Sequence, residues 1–189
     1  MPQVVVTAIL VATALFYPVH SLAANADVEL RAGGATLCGT CVHTPTHIRP
    51  TGQLFADLLF PVGSLEWLEF GPYLKAAGFE DTFIGAGGLV VGFAFSRFEI
   101  LINVGLAYAG SRIGAFRGAN GEVRPGQSQG TYDLGASVRL FGSAIQTGWY
   151  GSFQYTHNSN GEDVGLNWLS DKKTNPGLDA LTVGVGYRF

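Results

Sequence analysis

The sequence has little charge, few cysteines and no long apolar run beyond its N-terminal region. Of its 189 residues, 13% are Asp, Glu, Lys or Arg, and the formal net charge is −3. Because the chain has no basic patch, it lacks the electrostatic footprint of a nucleic-acid-binding protein, and we expect no nucleic acid as a partner. No later segment approaches the roughly 18 consecutive apolar residues of a membrane-spanning helix, so the sequence does not predict a helical span.

The sequence also lacks a glycine-rich phosphate loop, an internal repeat and a low-complexity linker. A glycine-rich phosphate loop is a common signature of nucleotide-cofactor binding, and this sequence does not contain one. We therefore expect the protein to use no cofactor. By length the chain is one domain.

Residues 1–26 are typical of an export signal. They contain an apolar run that is too short to span a bilayer comfortably, followed by small-x-small patterns at 21–23 and 24–26. The first three residues carry no Lys or Arg, so the usual positive segment is missing. We predict cleavage near residues 23–26 and a single mature domain over residues 27–189.

Glycine and aromatic residues are abundant. There are 27 glycines, and 12% of the residues are Phe, Trp or Tyr. Because glycine is costly inside helices, this composition argues against a helical protein. In small barrels, by contrast, glycine and alanine on the inner face make room for larger neighbours.

Side chains alternate between apolar and small or polar along most of the sequence, which is the pattern of β-strands with two different faces. The alternation predicts eight strands, at residues 27–35, 53–60, 65–76, 82–96, 99–108, 131–141, 146–159 and 180–189. Long loops follow the first, fifth and seventh strands, tight turns follow the second, fourth and sixth, and a connection of intermediate length follows the third. This asymmetry is typical of outer-membrane barrels. We therefore predict an all-β fold, an eight-stranded antiparallel transmembrane β-barrel of the bacterial outer membrane.

Three charged residues have the parity of the inner face. A charge buried without a partner is costly, so we expect them to pair inside the barrel. They are Glu99, Asp133 and Arg139.

Where the seventh strand ends and the eighth begins, three polar residues stand at positions for which the alternation predicts outward, apolar side chains. They are His157, Ser159 and Asp179. A Ser hydroxyl becomes a good nucleophile when a base takes its proton and a carboxylate orients that base. Residues two apart share a face of a strand, so His157 and Ser159 can meet. Ten residues separate Asp179 from Phe189, or roughly 25 Å of height at a tilt of about 40°, which is one apolar band. The spacing alone favours ordinary polar residues at a strand end, and the functional interpretation is a catalytic site that faces the outer leaflet.

Two groups follow Ser159 that could hold the oxyanion of an ester transition state. They are the Asn160 side chain and the backbone N–H of Gly161. The connection beyond them also contains other acids that could take the place of Asp179. These are Glu162, Asp163 and Asp171.

The segment 157–160 (His-Asn-Ser-Asn), with 175–179 (Asn-Pro-Gly-Leu-Asp) and a closing aromatic strand after it, resembles the PagL family of lipid A 3-O-deacylases. The resemblance is clearest over 130–189. It implies an outer-membrane barrel that hydrolyses an ester-linked acyl chain of lipid A, the membrane anchor of lipopolysaccharide. His157 would be the base and Ser159 the nucleophile.

In the same resemblance Asn160 contributes to the oxyanion site, and Asp179 stands where the family normally has Glu. A similar His-x-Ser-Asn motif occurs in outer-membrane phospholipases, so a phospholipase is the enzyme alternative. Those larger barrels carry the motif mid-chain. A non-catalytic barrel for adhesion or membrane integrity is the third possibility, and both a monomer and a homodimer remain open.

Cys38 and Cys41, followed by His43 and His47, have the spacing of a metal site. In an exported protein a local disulfide between the two cysteines is favoured over zinc, so we predict no metal. Basic residues in the two longest loops could contact lipid A phosphates, although solvated loop charges are common. These residues are Arg112, Arg117, Arg124, Lys172 and Lys173.

Overall fold

The computed structural model describes residues 24–39, 48–79, 82–109, 116–117, 123–124, 130–144, 146–159 and 176–189. Most of the predicted export signal lies outside this range. No helix within the described residues is long and apolar enough to cross a membrane.

Eight strands form a closed antiparallel barrel, which confirms the predicted fold. They are β1 (Asn25–Gly39), β2 (Arg49–Val62), β3 (Leu65–Phe79), β4 (Thr82–Phe95), β5 (Phe98–Ala109), β8 (Gly130–Phe141), β9 (Gly148–Ser159) and β10 (Pro176–Arg188). Two short strands, β6 (Phe116–Arg117) and β7 (Val123–Arg124), pair with each other between β5 and β8. The barrel closes where β1 pairs with β10, from Asp27 opposite Arg188 to Gly39 opposite Pro176.

The connections between the long strands lie at the two ends of the barrel. Segments 40–48, 80–81, 110–129 and 160–175 join them at one end, which we call the loop end. Segments 63–64, 96–97 and 142–147 join them at the other, the turn end. Gly63 has φ +58°, a left-handed conformation that suits glycine in a two-residue turn.

Four strands extend at least three residues further towards the loop end than the sequence predicted, and one of them is β10, which begins at Pro176 instead of residue 180. β1 continues to Gly39, β2 begins at Arg49, and β3 reaches Phe79, which leaves a connection of only residues 80–81 instead of 77–81. Above the apolar band both faces of a strand can be polar, so alternation no longer marks it. Backbone pairing continues there nevertheless, as between Ala35 and Arg49.

The outer surface of the barrel carries an apolar belt. Its side chains alternate with buried ones along each strand, as the predicted parity required. Such a large exposed apolar area is unfavourable in water but is the surface that a barrel presents to lipid. The belt includes Leu89, Ile100, Ile102, Val104, Leu134, Val138, Phe153, Leu181, Val183 and Val185.

The interior is filled by side chains, many of them charged. Arg139 is fully buried and lies 3.3 Å from Glu99 Oε2, so the expected pairing of these two residues is confirmed. Asp133 is also paired, but with Lys75 from β3, and it accepts a hydrogen bond of 2.7 Å from the Tyr73 hydroxyl. These contacts give buried charges the partners that they need.

Candidate active site at the loop end

His157 and Asp179 form the central contact of the candidate site. The β9–β10 register places the two residues directly opposite each other. The Nδ1 atom of His157 lies 2.7 Å from Oδ1 of Asp179, and the two side chains are 31% and 21% exposed. Their neighbours Thr156, Asn158 and Ala180 are buried in the interior, so the pair lies on the outward face.

This contact defines what the imidazole can do. An ionised carboxylate only accepts hydrogen bonds, so Nδ1 of His157 is the nitrogen that donates to Asp179. In the neutral ring, Nε2 then keeps a lone pair and can act as a base. This is the arrangement of base and orienting acid in serine hydrolases.

Ser159 is the last residue of β9 and has the same outward parity as His157. It stands opposite Tyr132 in the β8–β9 ladder and is 7% exposed. The strand therefore brings the predicted nucleophile and base to one face at one end of the barrel.

Tyr155 belongs to the same cluster, although the sequence did not mark it as a site residue. Its hydroxyl donates a hydrogen bond of 2.6 Å to Oδ1 of Asp179, the same oxygen that His157 contacts. Tyr155 stands opposite Leu181, so Asp179 is its diagonal neighbour, two residues away along β10. A tyrosine side chain is long enough to reach a diagonal neighbour.

Asn158 is a second residue whose contacts the sequence did not reveal. It points inwards between His157 and Ser159, and its Nδ2 donates to Asp133 Oδ1 at 2.7 Å. The same nitrogen lies 3.3 Å from the carbonyl oxygen of Tyr132. These contacts fasten the end of β9 to β8 and so fix the backbone that carries the two predicted catalytic residues.

For most of the other predicted site residues the structure describes no side-chain contacts. Those that lie outside the described residues are Asn160, Gly161, Arg112, Lys172, Lys173, Cys41, His43, His47, Glu162, Asp163 and Asp171. Three more are described only as backbone, in β1, β6 and β7: Cys38, Arg117 and Arg124. In the part of the chain that the structure covers, no group of three or more His, Cys, Asp or Glu side chains is arranged to hold a metal ion.

No protein-family model and no curated protein matches the sequence. Among solved structures, the crystal structure of the outer membrane enzyme PagL is similar at 15% identity, with 85% of this chain and 98% of that chain covered and a TM-score of 0.53. Neisserial surface protein A matches at 15% identity, over 87% and 97% of the two chains, with a TM-score of 0.51.

A third similar structure is Ail, the attachment invasion locus protein of Yersinia pestis, in complex with the heparin analogue sucrose octasulfate. It matches at 8% identity, over 88% and 99% of the two chains, with a TM-score of 0.52. At such identities the likeness shows the fold alone: this chain is an eight-stranded barrel of the outer-membrane kind. An enzyme and an attachment protein share that fold, so activity must be argued from the site.

Proposed function

We propose that this protein is a serine ester hydrolase of the bacterial outer membrane that removes an ester-linked acyl chain, the one at position 3, from lipid A. The observation that carries the proposal is the 2.7 Å contact between His157 and Asp179 on the outward face, with Ser159 two residues further along the strand. In serine hydrolases, a base held by a carboxylate next to a Ser hydroxyl is the apparatus for acyl transfer.

The position of the site favours a lipid substrate. His157 and Asp179 continue the outward face of β9 and β10 above belt residues Phe153 and Val183, and Ser159 has the same parity at the end of β9. An acyl chain lying along that belt would bring its ester to the loop end. With the loop end at the cell surface, as the long connections of outer-membrane barrels are, the ester belongs to the outer leaflet, which consists mainly of lipopolysaccharide.

The reaction follows from the roles of the three side chains. Ser159 Oγ attacks the ester carbonyl carbon while His157 Nε2 takes the hydroxyl proton, and Asp179 stabilises the imidazolium. The tetrahedral intermediate breaks its bond to the sugar oxygen, which leaves as an alcohol with the proton from His157. Water then attacks the acyl-enzyme, its proton passes through His157 to Ser159, and the fatty acid is released.

Further residues would complete the site from the loop-end connections. We propose that Asn160 and the backbone N–H of Gly161 hold the oxyanion, because they directly follow the nucleophile. Basic residues of segments 110–129 and 160–175 would bind the lipid A phosphates, a task to which Arg is suited. These are Arg112, Arg117, Arg124, Lys172 and Lys173.

Mass spectrometry of lipid A from cells that express each variant tests the proposal. Wild type should remove one acyl chain, while Ser159→Ala and His157→Ala should leave lipid A intact although they fold and insert. The matched control is Ser64→Ala, in an exposed turn at the opposite end of the barrel, which should behave as wild type.

Purified barrel supplied with lipid A and, separately, with glycerophospholipid distinguishes the alternatives. A phospholipase would release fatty acid from the second substrate and not the first. A non-catalytic barrel would release none from either. Intact lipid A in cells with folded, inserted wild-type protein would contradict the proposal.

A further inference from the structure

We propose that Tyr155 is a positioning residue of this site, whose hydroxyl holds Asp179 in the orientation that engages His157; the inference rests on the proposed function. Oδ1 of Asp179 lies 2.6 Å from the Tyr155 hydroxyl and 2.7 Å from Nδ1 of His157. One carboxylate oxygen therefore accepts both hydrogen bonds, and its two lone pairs are used.

The strand register makes the two contacts to Asp179 compatible. His157 lies directly opposite Asp179, and Tyr155 lies opposite Leu181, so the phenol approaches the carboxylate from the belt side. His157 and Tyr155 are also two residues apart on one face of β9, and the ladder fixes their separation. The carboxylate is therefore held between two rigidly spaced donors.

The surroundings of Asp179 give the phenol a specific task. The carboxylate is 21% exposed and lies at the upper edge of the apolar belt, where lipid provides no hydrogen bonds. A donor from the belt side supplies a hydrogen bond on the side of the carboxylate that faces lipid, and hydrogen bonds to an ionised group are among the strong ones. With the hydroxyl removed, the carboxylate is free to rotate away from the imidazole.

The alternative role for Tyr155 is that of an ordinary belt aromatic, since it is 43% exposed and faces outwards. In that role the ring alone would contribute, through contact with lipid. The substitution Tyr155→Phe separates the two, because it keeps the ring and removes the hydroxyl.

Deacylation of lipid A by purified barrel in detergent gives the first readout. Tyr155→Phe should lower kcat by about 10- to 100-fold, the effect of losing a hydrogen bond to a charged group, with KM unchanged within about twofold. The control is Tyr187→Phe, an outward tyrosine at the turn end whose ring contacts with Trp149 and Phe189 survive the change. It should retain wild-type kcat.

A double-substitution cycle shows whether Tyr155 acts through Asp179. In an Asp179→Ala background, Tyr155→Phe should cause no further loss, because the group that it positions is gone. An equal loss in both backgrounds, or full activity of Tyr155→Phe in the wild-type background, would overturn the inference while leaving the proposed function intact.

A readout without turnover keeps the inference testable even if lipid A is not the substrate. In nitrogen-edited NMR of the barrel in micelles, the Nδ1 proton of His157 should give a downfield signal protected from exchange in wild type, Ser159→Ala and Tyr187→Phe. Tyr155→Phe should lose that protection, as Asp179→Ala does. Unchanged protection in Tyr155→Phe would show that the phenol does not position the carboxylate.

Discussion

The acid beside His157 is an aspartate. It is one methylene shorter than the glutamate of the PagL family, which the sequence resembles. The register explains how the shorter side chain can serve: Asp179 stands directly across the ladder from His157, and its Oδ1 comes within 2.7 Å of the ring nitrogen. Directly opposite residues of an antiparallel pair have the closest side chains, so no extra length is needed.

The substitution Asp179→Asn tests this assignment against the acids of segment 160–175. An amide cannot stabilise the imidazolium and favours the wrong imidazole tautomer, so kcat/KM for lipid A should fall by about 10³- to 10⁴-fold. Asp163→Asn and Asp171→Asn serve as matched controls and should stay within about threefold of wild type. The assignment would be wrong if either control lost more activity than Asp179→Asn did.

Part of this site could be predicted from the sequence, because the prediction required only the alternation of inward and outward side chains along each strand. His157, Ser159 and Asp179 break an outward apolar pattern, and that pattern does not depend on how strands are aligned. The role of Tyr155 could not be predicted, because a diagonal contact between β9 and β10 depends on the register. The long connection 160–175 between the two strands leaves that register undetermined.

At the scale of the elements, the same reasoning explains which strand limits were predicted well. The predicted limits of β5 and β8 agree with the structure within one residue, because outward apolar residues continue almost to both ends of these strands. The loop-end parts of β1 and β2 were missed, at 36–39 and 49–52. There the strands rise above the belt, and their backbone pairing continues beyond the apolar alternation.

The outward face of β9 yields a prediction about membrane depth. Phe153 is opposite Val183 and Val138, in the middle of the belt, whereas Phe98 adjoins a turn at its lower edge. Replacing Phe153 with Arg should cost about 2–4 kcal/mol of folding free energy in lipid vesicles, since a charge at the bilayer midplane is most costly.

Phe98→Arg provides the matched control and should cost no more than about 1 kcal/mol, because an arginine near the interface reaches water. Both values can be measured by denaturant titration of the barrel in vesicles, followed by tryptophan fluorescence. Equal costs at the two positions would contradict the placement of the belt in the bilayer.

At the scale of the whole molecule, a buried charge network links strands that are not neighbours in the barrel. Arg139 of β8 reaches Asp27 and Glu29 of β1 at 3.3 and 3.4 Å, and Glu99 of β5 at 3.3 Å. It also pairs with Asp57 of β2. The network therefore ties opposite walls of the barrel together below the candidate site.

Loss of Arg139 should destabilise the entire barrel, because its four carboxylate partners would remain buried with one cation fewer. For Arg139→Met, which keeps a long side chain but removes its charge, we expect a loss of about 3–5 kcal/mol in the free energy of unfolding. Arg97→Met, in the exposed turn 96–97, is the control and should change stability by less than about 0.5 kcal/mol. Urea titrations of both variants in vesicles measure the difference. The contrary outcome is that Arg139→Met unfolds at the same urea concentration as wild type. In that case the buried carboxylates would be protonated or hydrated instead of paired with Arg139. The charge network would then not be what holds the opposite walls together.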